Sequence, residues 1–286
     1  MVEVEPLLVR SRQSGVQLMV SKSEVPQIKI LLPEQPLTDR GIEIEFPEHT
    51  FGRLRENKEV LRFFLMGSPR PEWQAQPQWK KEGNALTYYM AFKSGVTLSA
   101  TATMEPDGIR LTYLAKNNTD LDFEEFQAPT CVKLYSEFYD LFLERTYVHH
   151  AEGFDLLASE TPERLSMTKE QWLPCRYLVP FTLPVVPVER RVEQKEDGIT
   201  WRHKLRKVDA PFIATISHDG RWVAATHTFQ APNVWTNPER TCHHADPDTP
   251  LPSRGTAQLS LKVYLCKGSL QGVWAKITRA RRIKQA

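Results

Sequence analysis

Residues 86–115 read LTYYMAFKSGVTLSATATMEPDGIRLTYLA, and this stretch decides the fold. Leu86, Tyr88, Met90 and Phe92 fall on alternate positions, followed by Val96, Leu98, Ala100, Ala102 and Met104, then Ile109, Leu111, Tyr113 and Ala115. A period of two is the signature of strands that lay one face on a core. The breaks between them, Lys93-Ser94-Gly95 and Pro106-Asp107-Gly108, are too short to carry the crossover helix that a parallel pair needs. The three runs therefore predict an antiparallel meander.

The same pattern extends outward. Asp197-Gly198 opens the run Ile199 to Leu205, and His218-Asp219-Gly220 joins Pro211–Ser217 to Arg221–Phe229, a second hairpin signal. From Ala257 to Leu265, Ala257, Leu259, Leu261, Val263 and Leu265 point one way, and Gln258, Ser260 and Lys262 the other. Helical spacing is sparse. Leu270, Val273, Trp274 and Ile277 recur at i, i+3, i+4, i+7, which predicts a C-terminal helix over about 268–282 docked on the sheet. Short helices are expected at Ser136–Leu143 and Thr168–Leu173. The proline-rich stretch Pro174–Pro187 reads as an edge or crossing segment, since proline cannot donate to a central ladder. The expectation is an all-β fold, a large antiparallel sandwich forming one domain over residues 1–286 with a few short helices and the C-terminal helix.

Composition narrows the function classes. The chain has 41% hydrophobic and 25% charged residues, the balance of a soluble globular protein. Lys and Arg number 37 against 35 acidic residues, a net charge of +2, which gives no field to attract nucleic acid or an anionic membrane. The longest apolar stretch, Leu178 to Val188, contains three prolines, whereas a transmembrane helix needs about 20 mostly apolar residues. Charged residues at Glu3, Glu5, Arg10 and Arg12 leave no uninterrupted apolar core of a secretory signal, so the cytoplasm is the expected compartment, or the periplasm or exterior if a signal was trimmed. The four cysteines, Cys131, Cys175, Cys242 and Cys266, make no CxxC and are expected to be free thiols. P-loop, GxGxxG and GxSxG patterns are absent.

Polar candidates lie in the second half of the chain. If residues 143–150 are extended, Arg145, Tyr147 and His149 share a face able to hydrogen-bond a sugar or carboxylate, or simply to face solvent. His227 alternates with Val223, Ala225 and Phe229 and so falls on an apolar face, as a buried neutral histidine or a catalytic one. Residues 233–247, NVWTNPERTCHHADP, lack strand periodicity and gather Trp235, Arg240, His244 and Asp246. Trp235 suits the face of a pyranose ring, Arg240 a carboxylate or vicinal oxygens, and His244 with Asp246 an acid–base pair. The plainer alternative is that Trp235 plugs the end of the sandwich and Asp246 forms a turn before Pro247. No metal or other cofactor is expected: His149, His227 and His244 would suffice for zinc, but adjacent residues point to opposite faces, so each doublet offers about one ligand.

The segments Leu143-Glu-Arg-Thr-Tyr-Val-His-His150, Asp219-Gly-Arg-Trp-Val223, Cys242-x-His244-x-Asp246-Pro247 and Leu251-Pro-x-x-Gly255 resemble uncharacterised bacterial proteins of acidobacterial and planctomycete type, over most of residues 85–272. Those proteins are similar to the galactose mutarotase-like supersandwich group, which includes aldose epimerases and domains of polysaccharide lyases and glycosidases. The resemblance implies a supersandwich and a sugar, uronate or oligosaccharide ligand. In the epimerases a histidine protonates the ring oxygen and a glutamate removes the anomeric proton; here His227 or His244 would take the first role and Glu144 or Glu239 the second. A non-catalytic carbohydrate-binding or assembly module is the competing expectation.

Overall fold

In the computed structural model the described residues are 7–21, 23, 25–65, 74, 77–160, 177–182, 193–196, 199–202, 207–237 and 241–285. The meander forms as the period of two requires. Ala85–Ala91, Val96–Glu105 and Gly108–Asn117 pair antiparallel in unbroken register. Tyr88, Ala100 and Tyr113 stand in one row and Leu86, Ala102 and Leu111 in the next, so a small residue on the middle strand makes room for a large one on each side. Gly108 turns the chain at φ +148°, where a Cβ would meet the Val263 carbonyl oxygen at 2.1 Å, so the Asp-Gly pair is fixed by close backbone approach as well as by conformation.

These strands are part of a nine-stranded sheet. Its order is Gly153–Leu156, Thr146–His150, Phe212–Ile216, Trp222–His227, Thr256–Lys267, Gly108–Asn117, Val96–Glu105, Ala85–Ala91 and Lys80–Glu82. A six-stranded sheet faces it: Leu8–Arg10, Gln17–Val20, Gln27–Leu31, Ile42–Glu45, Cys131–Leu134 and Cys242–His243. One continuous apolar cluster lies between them, with Leu18, Ile28, Ile30, Ile44 and Val132 from the smaller sheet against Leu98, Leu111, Tyr113 and Leu261 from the larger. Each such side chain, taken fully out of water, contributes roughly 1.5–3 kcal/mol. A four-stranded sheet of Asp248–Leu251, Phe123–Gln127, His49–Leu54 and Val60–Leu65 closes one end, and its Phe63, Phe123 and Phe126 join the same cluster.

The C-terminal helix, Leu270–Gln285, covers part of the opposite face of the large sheet. Leu270, Val273 and Ile277 are buried there against Phe212, Ala214, Val223, Ala225 and Tyr264, with Trp274 packed at the margin. Lys262 lies on this face too and is only 8% exposed; ion pairs to Glu105 at 2.6 Å and Asp107 at 2.5 Å offset its desolvation. Among the described residues no helix is long and apolar enough to cross a membrane.

Two local expectations are corrected. Of the helix expected at Ser136–Leu143 only a 3-10 turn, Ser136–Phe138, forms, because Asp140 instead caps the following strand through the backbone N–H groups of Glu144 and Arg145. The stretch read as irregular contains the strands Asn233–Thr236 and Cys242–His243, whose pairing comes from distant segments that periodicity does not register. In the proline-rich stretch, Tyr177–Thr182 starts parallel to Ile199–Arg202 and ends antiparallel to Asn233–Thr236. The helix expected at Thr168–Leu173 lies outside the described residues.

Candidate functional site

Three strands at one side of the six-stranded sheet set up the site. Val132 is paired with Ile44 on one side and His243 on the other. Residues opposite one another share a face, so this row points into the core between the sheets. His243 is fully buried there, its Nε2 2.9 Å from Thr215 Oγ1 and its Nδ1 3.4 Å from Thr226 Oγ1. The neighbours of that row, Glu45, Cys131, Lys133, Cys242 and His244, belong to the outer face.

On that outer face polar and sulfur groups converge. Asn233–Thr236 folds back so that Trp235 and His244 exchange both backbone hydrogen bonds at 3.0 Å, and their rings stack with centroids 3.5 Å apart and planes at 10°. Asp246 accepts from Trp235 Nε1 at 3.0 Å and from the Thr130 amide at 3.1 Å, and lies 3.3 Å from His244 Nδ1. Thr130 is in turn bonded through its hydroxyl to Tyr113 of the large sheet. Glu48, anchored by its amide on the Pro129 carbonyl at 2.7 Å, brings one carboxylate oxygen 3.9 Å from His244 Nε2 and the other 3.7 Å from His49 Nε2. Behind them Lys133 and Glu45 form a buried ion pair. Ligand-type atoms of Cys131, Cys242 and His244 lie within 4.8 Å of one another, as do those of Glu45, Glu48 and Cys131.

The cluster is electrostatically tense. Burial pushes the Glu48 carboxyl up to about 7; His244 opposes this, while Glu45, Cys242 and Asp246 add to it. Burial and the charge of His244 bring His49 down to about 4 and His243 to about 3. Burial penalises the imidazolium of His244, but Asp246 and Cys242 outweigh it and hold the ring well above the ordinary histidine range. Burial likewise raises the Cys131 thiol, while the hydrogen bond from Cys131 and the charge of His244 overcome burial at Cys242 and favour its thiolate. Among these groups Glu48 and His49 reach solvent, with side chains 15% and 29% exposed. His244 is 1% exposed.

The sequence candidates divide into those the fold gathers and those it separates. His244, Asp246 and Trp235 meet, but His244 is buried and its ring takes one face of the indole. Arg145 has its guanidinium committed to carbonyls, at 2.6 Å from Ile216 O and 3.4 Å from Glu137 O, and also to Tyr139 O. Tyr147 packs against the cluster beneath the C-terminal helix. His149 stacks on Trp274 at 3.9 Å and holds Asp209 at 2.8 Å through Nδ1. The helix therefore covers much of the polar face expected there. His227 is buried on the same side of the sheet, edge-on to Phe229 at 4.6 Å. Glu144 is exposed. Glu239 and Arg240 lie outside the described residues. Sequence reasoning missed Glu48, His49 and the pairing of Cys131 with Cys242; Phe46-Pro47-Glu48-His49, a proline stop between two short strands, was the only local signal.

No protein-family model matches the chain, and no curated protein matches it in sequence. Solved structures are similar to it in three dimensions. The Slr1438 protein from Synechocystis superposes with a TM-score of 0.51 at 12% identity, over 92% of this chain and 96% of that one. A galactose mutarotase-like protein from Lactobacillus casei gives 0.51 at 11% identity, over 91% and 100%. The GalNAc complex of alpha-N-acetylgalactosaminidase NagBb from Bifidobacterium bifidum gives 0.51 at 10% identity, over 97% of this chain but 39% of that one. At these identities the likeness is one of fold, and the fold is galactose mutarotase-like.

Proposed function

We propose that the protein binds a sugar or uronate at the rim formed by Glu48, His49 and Trp235, and that Glu48 transfers a proton to or from the bound ligand in an epimerase- or lyase-like step. The observation that carries this reading is geometric: within an otherwise buried polar cluster, Glu48 and His49 reach solvent beside a half-buried indole. A sugar site needs an aromatic surface, hydrogen-bonding groups for ring hydroxyls and a carboxylate, and the rim offers the second face of the Trp235 indole, His49 and Glu48 for these parts. The supersandwich fold, shared with mutarotase-like proteins and with a glycosidase in complex with GalNAc, supports the ligand class. Glu48 takes the role first considered for Glu144 and Glu239.

A thermal-shift screen of aldoses and uronates, followed by anomer exchange measured by NMR, tests this. A ligand is expected to raise the melting temperature, and Glu48→Gln is expected to keep binding while turnover falls about a hundredfold or more. Binding without turnover in the parent protein would favour a carbohydrate-binding module, a second reading supported by the separate packing of His149, His227 and His243. If none of the sugars shifts the melting temperature, both readings fail.

A further inference from the structure

We propose that Cys131, Cys242 and His244 are ligands of a zinc-class divalent ion, with Asp246 fixing the imidazole from behind and Glu48 standing beside the fourth position. Glu48 is shared with the proposed sugar site, but the three donors lie on the floor of the cluster and not on its rim, so metal uptake and sugar binding are measured separately. All three donor residues are buried, at 2%, 1% and 1% exposure, and their donor atoms lie within 4.8 Å of one another. A tetrahedral ion with metal–sulfur bonds of about 2.3 Å and metal–nitrogen bonds of about 2.0 Å sets its donors roughly 3.4–3.8 Å apart. Closing the set onto an ion therefore asks for movements of about an ångström or less per donor.

Four further features fit a cation that would replace the hydrogen bonds now linking Cys131, Cys242 and His244. The 3.9 Å between Glu48 and His244 Nε2 exceeds a hydrogen bond but suits two groups sharing one ion. Asp246 stands at His244 Nδ1, and it is itself held by the Trp235 indole and the Thr130 amide. That is the carboxylate–histidine arrangement by which outer-shell partners leave Nε2 as the donor. Glu45 Oε2 is buried with no hydrogen-bond partner among the described residues, and Glu45 belongs to the carboxylate pair adjoining Cys131. Finally, two thiolates neutralise a dication, so the ion can be buried at little net charge; the thiol protons leave to solvent as it binds. Soft sulfur with imidazole in a tetrahedral setting selects zinc over calcium or magnesium.

The histidine doublets do not argue against this site. They limit each pair to one donor, and the strand turns His243 into the core while His244 faces the thiols. The second and third donors are cysteines from strands 111 residues apart in the chain, 131 to 242.

The test uses the full chain, reduced and purified without oxygen. Elemental analysis is expected to find one zinc per chain, and replacement by cobalt should give a thiolate-to-cobalt charge-transfer band. Cys131→Ser and Cys242→Ser should each cut that band by half or more and the double variant should abolish it, Asp246→Asn should weaken zinc binding about 10- to 100-fold, and Cys266→Ser, on the distant large sheet, should retain both. Circular dichroism shows whether each variant is folded, and the cobalt spectrum of the parent needs no variant. Folded, reduced parent protein that takes up neither zinc nor cobalt would overturn the proposal, as would undiminished uptake by a Cys131→Ser/Cys242→Ser double variant.

Discussion

Asp248 shows how a single residue records its position in the fold. It begins the strand Asp248–Leu251, opposite Gln127, and its carboxyl is pushed up to about 6 by burial and by the charge of Glu125. Glu125 is itself bonded to Arg53 at 3.0 Å, so that cation is already engaged. Below about pH 6 the native state therefore holds Asp248 protonated. The associated stability is fully present below the unfolded value of about 3.8 and is lost as the pH rises through about 6. Asp248→Asn removes the charge and keeps the shape. It is expected to melt a few degrees above the parent at pH 7.5 and to coincide with it near pH 4; scanning calorimetry of the two proteins across that range checks the sign, and a variant equally stabilised at both pH values would contradict it.

At the scale of elements, the C-terminal helix and the cluster around His244 contrast in how they are specified. The helix is built from a local rule: its i, i+3, i+4, i+7 residues meet Phe212, Ala225 and Tyr264 whatever the rest of the chain does. Ile277 is 2% exposed, so Ile277→Ala should lower unfolding free energy by about 2–4 kcal/mol in urea titration. Thr278→Ala, one residue on, should stay within roughly 0.5 kcal/mol, because its hydroxyl bonds only within the helix. Equal costs at the two positions would remove the docking claim. The meander and the Asp-Gly hairpin at 219–220 were legible for the same reason. Glu48 and the two cysteines were not: the register Val132↔His243 that joins Cys131 to Cys242 is a long-range pairing, and neither short strand has enough residues to display a period. Tyr147 and His149 failed differently. Their alternation was correct, but the covering element was a helix more than 100 residues later, at Leu270–Gln285, and a face covered from elsewhere reads in sequence like a face left open to water.

For the whole molecule, stability and adaptability divide between the centres and the edges of the two large sheets. Gly108–Asn117 lies between Val96–Glu105 and Thr256–Lys267 and is paired along nearly its full length on both sides. One of its faces is in the main core, so opening it breaks two ladders and exposes the cluster between the sheets. Lys80–Glu82, at the edge of the same sheet, is exposed at all three positions and paired on one side. The segment carrying Cys242 and His244 is also an edge: two residues of strand, one ladder and a bridge to Trp235. Local opening free energies follow these differences, running from near zero at frayed edges to the global value in a doubly paired strand. Native-state hydrogen exchange should therefore find the slowest amides in Gly108–Asn117 and the adjoining part of Thr256–Lys267, the fastest sheet amides in Lys80–Glu82, and intermediate values at Cys242 and His244. Exchange at Cys242 and His244 as slow as in the central strand would mean that the core between the sheets already clamps this edge. Intermediate exchange would mean that the edge opens by sub-global unfolding, leaving room for anything bound there to stabilise it.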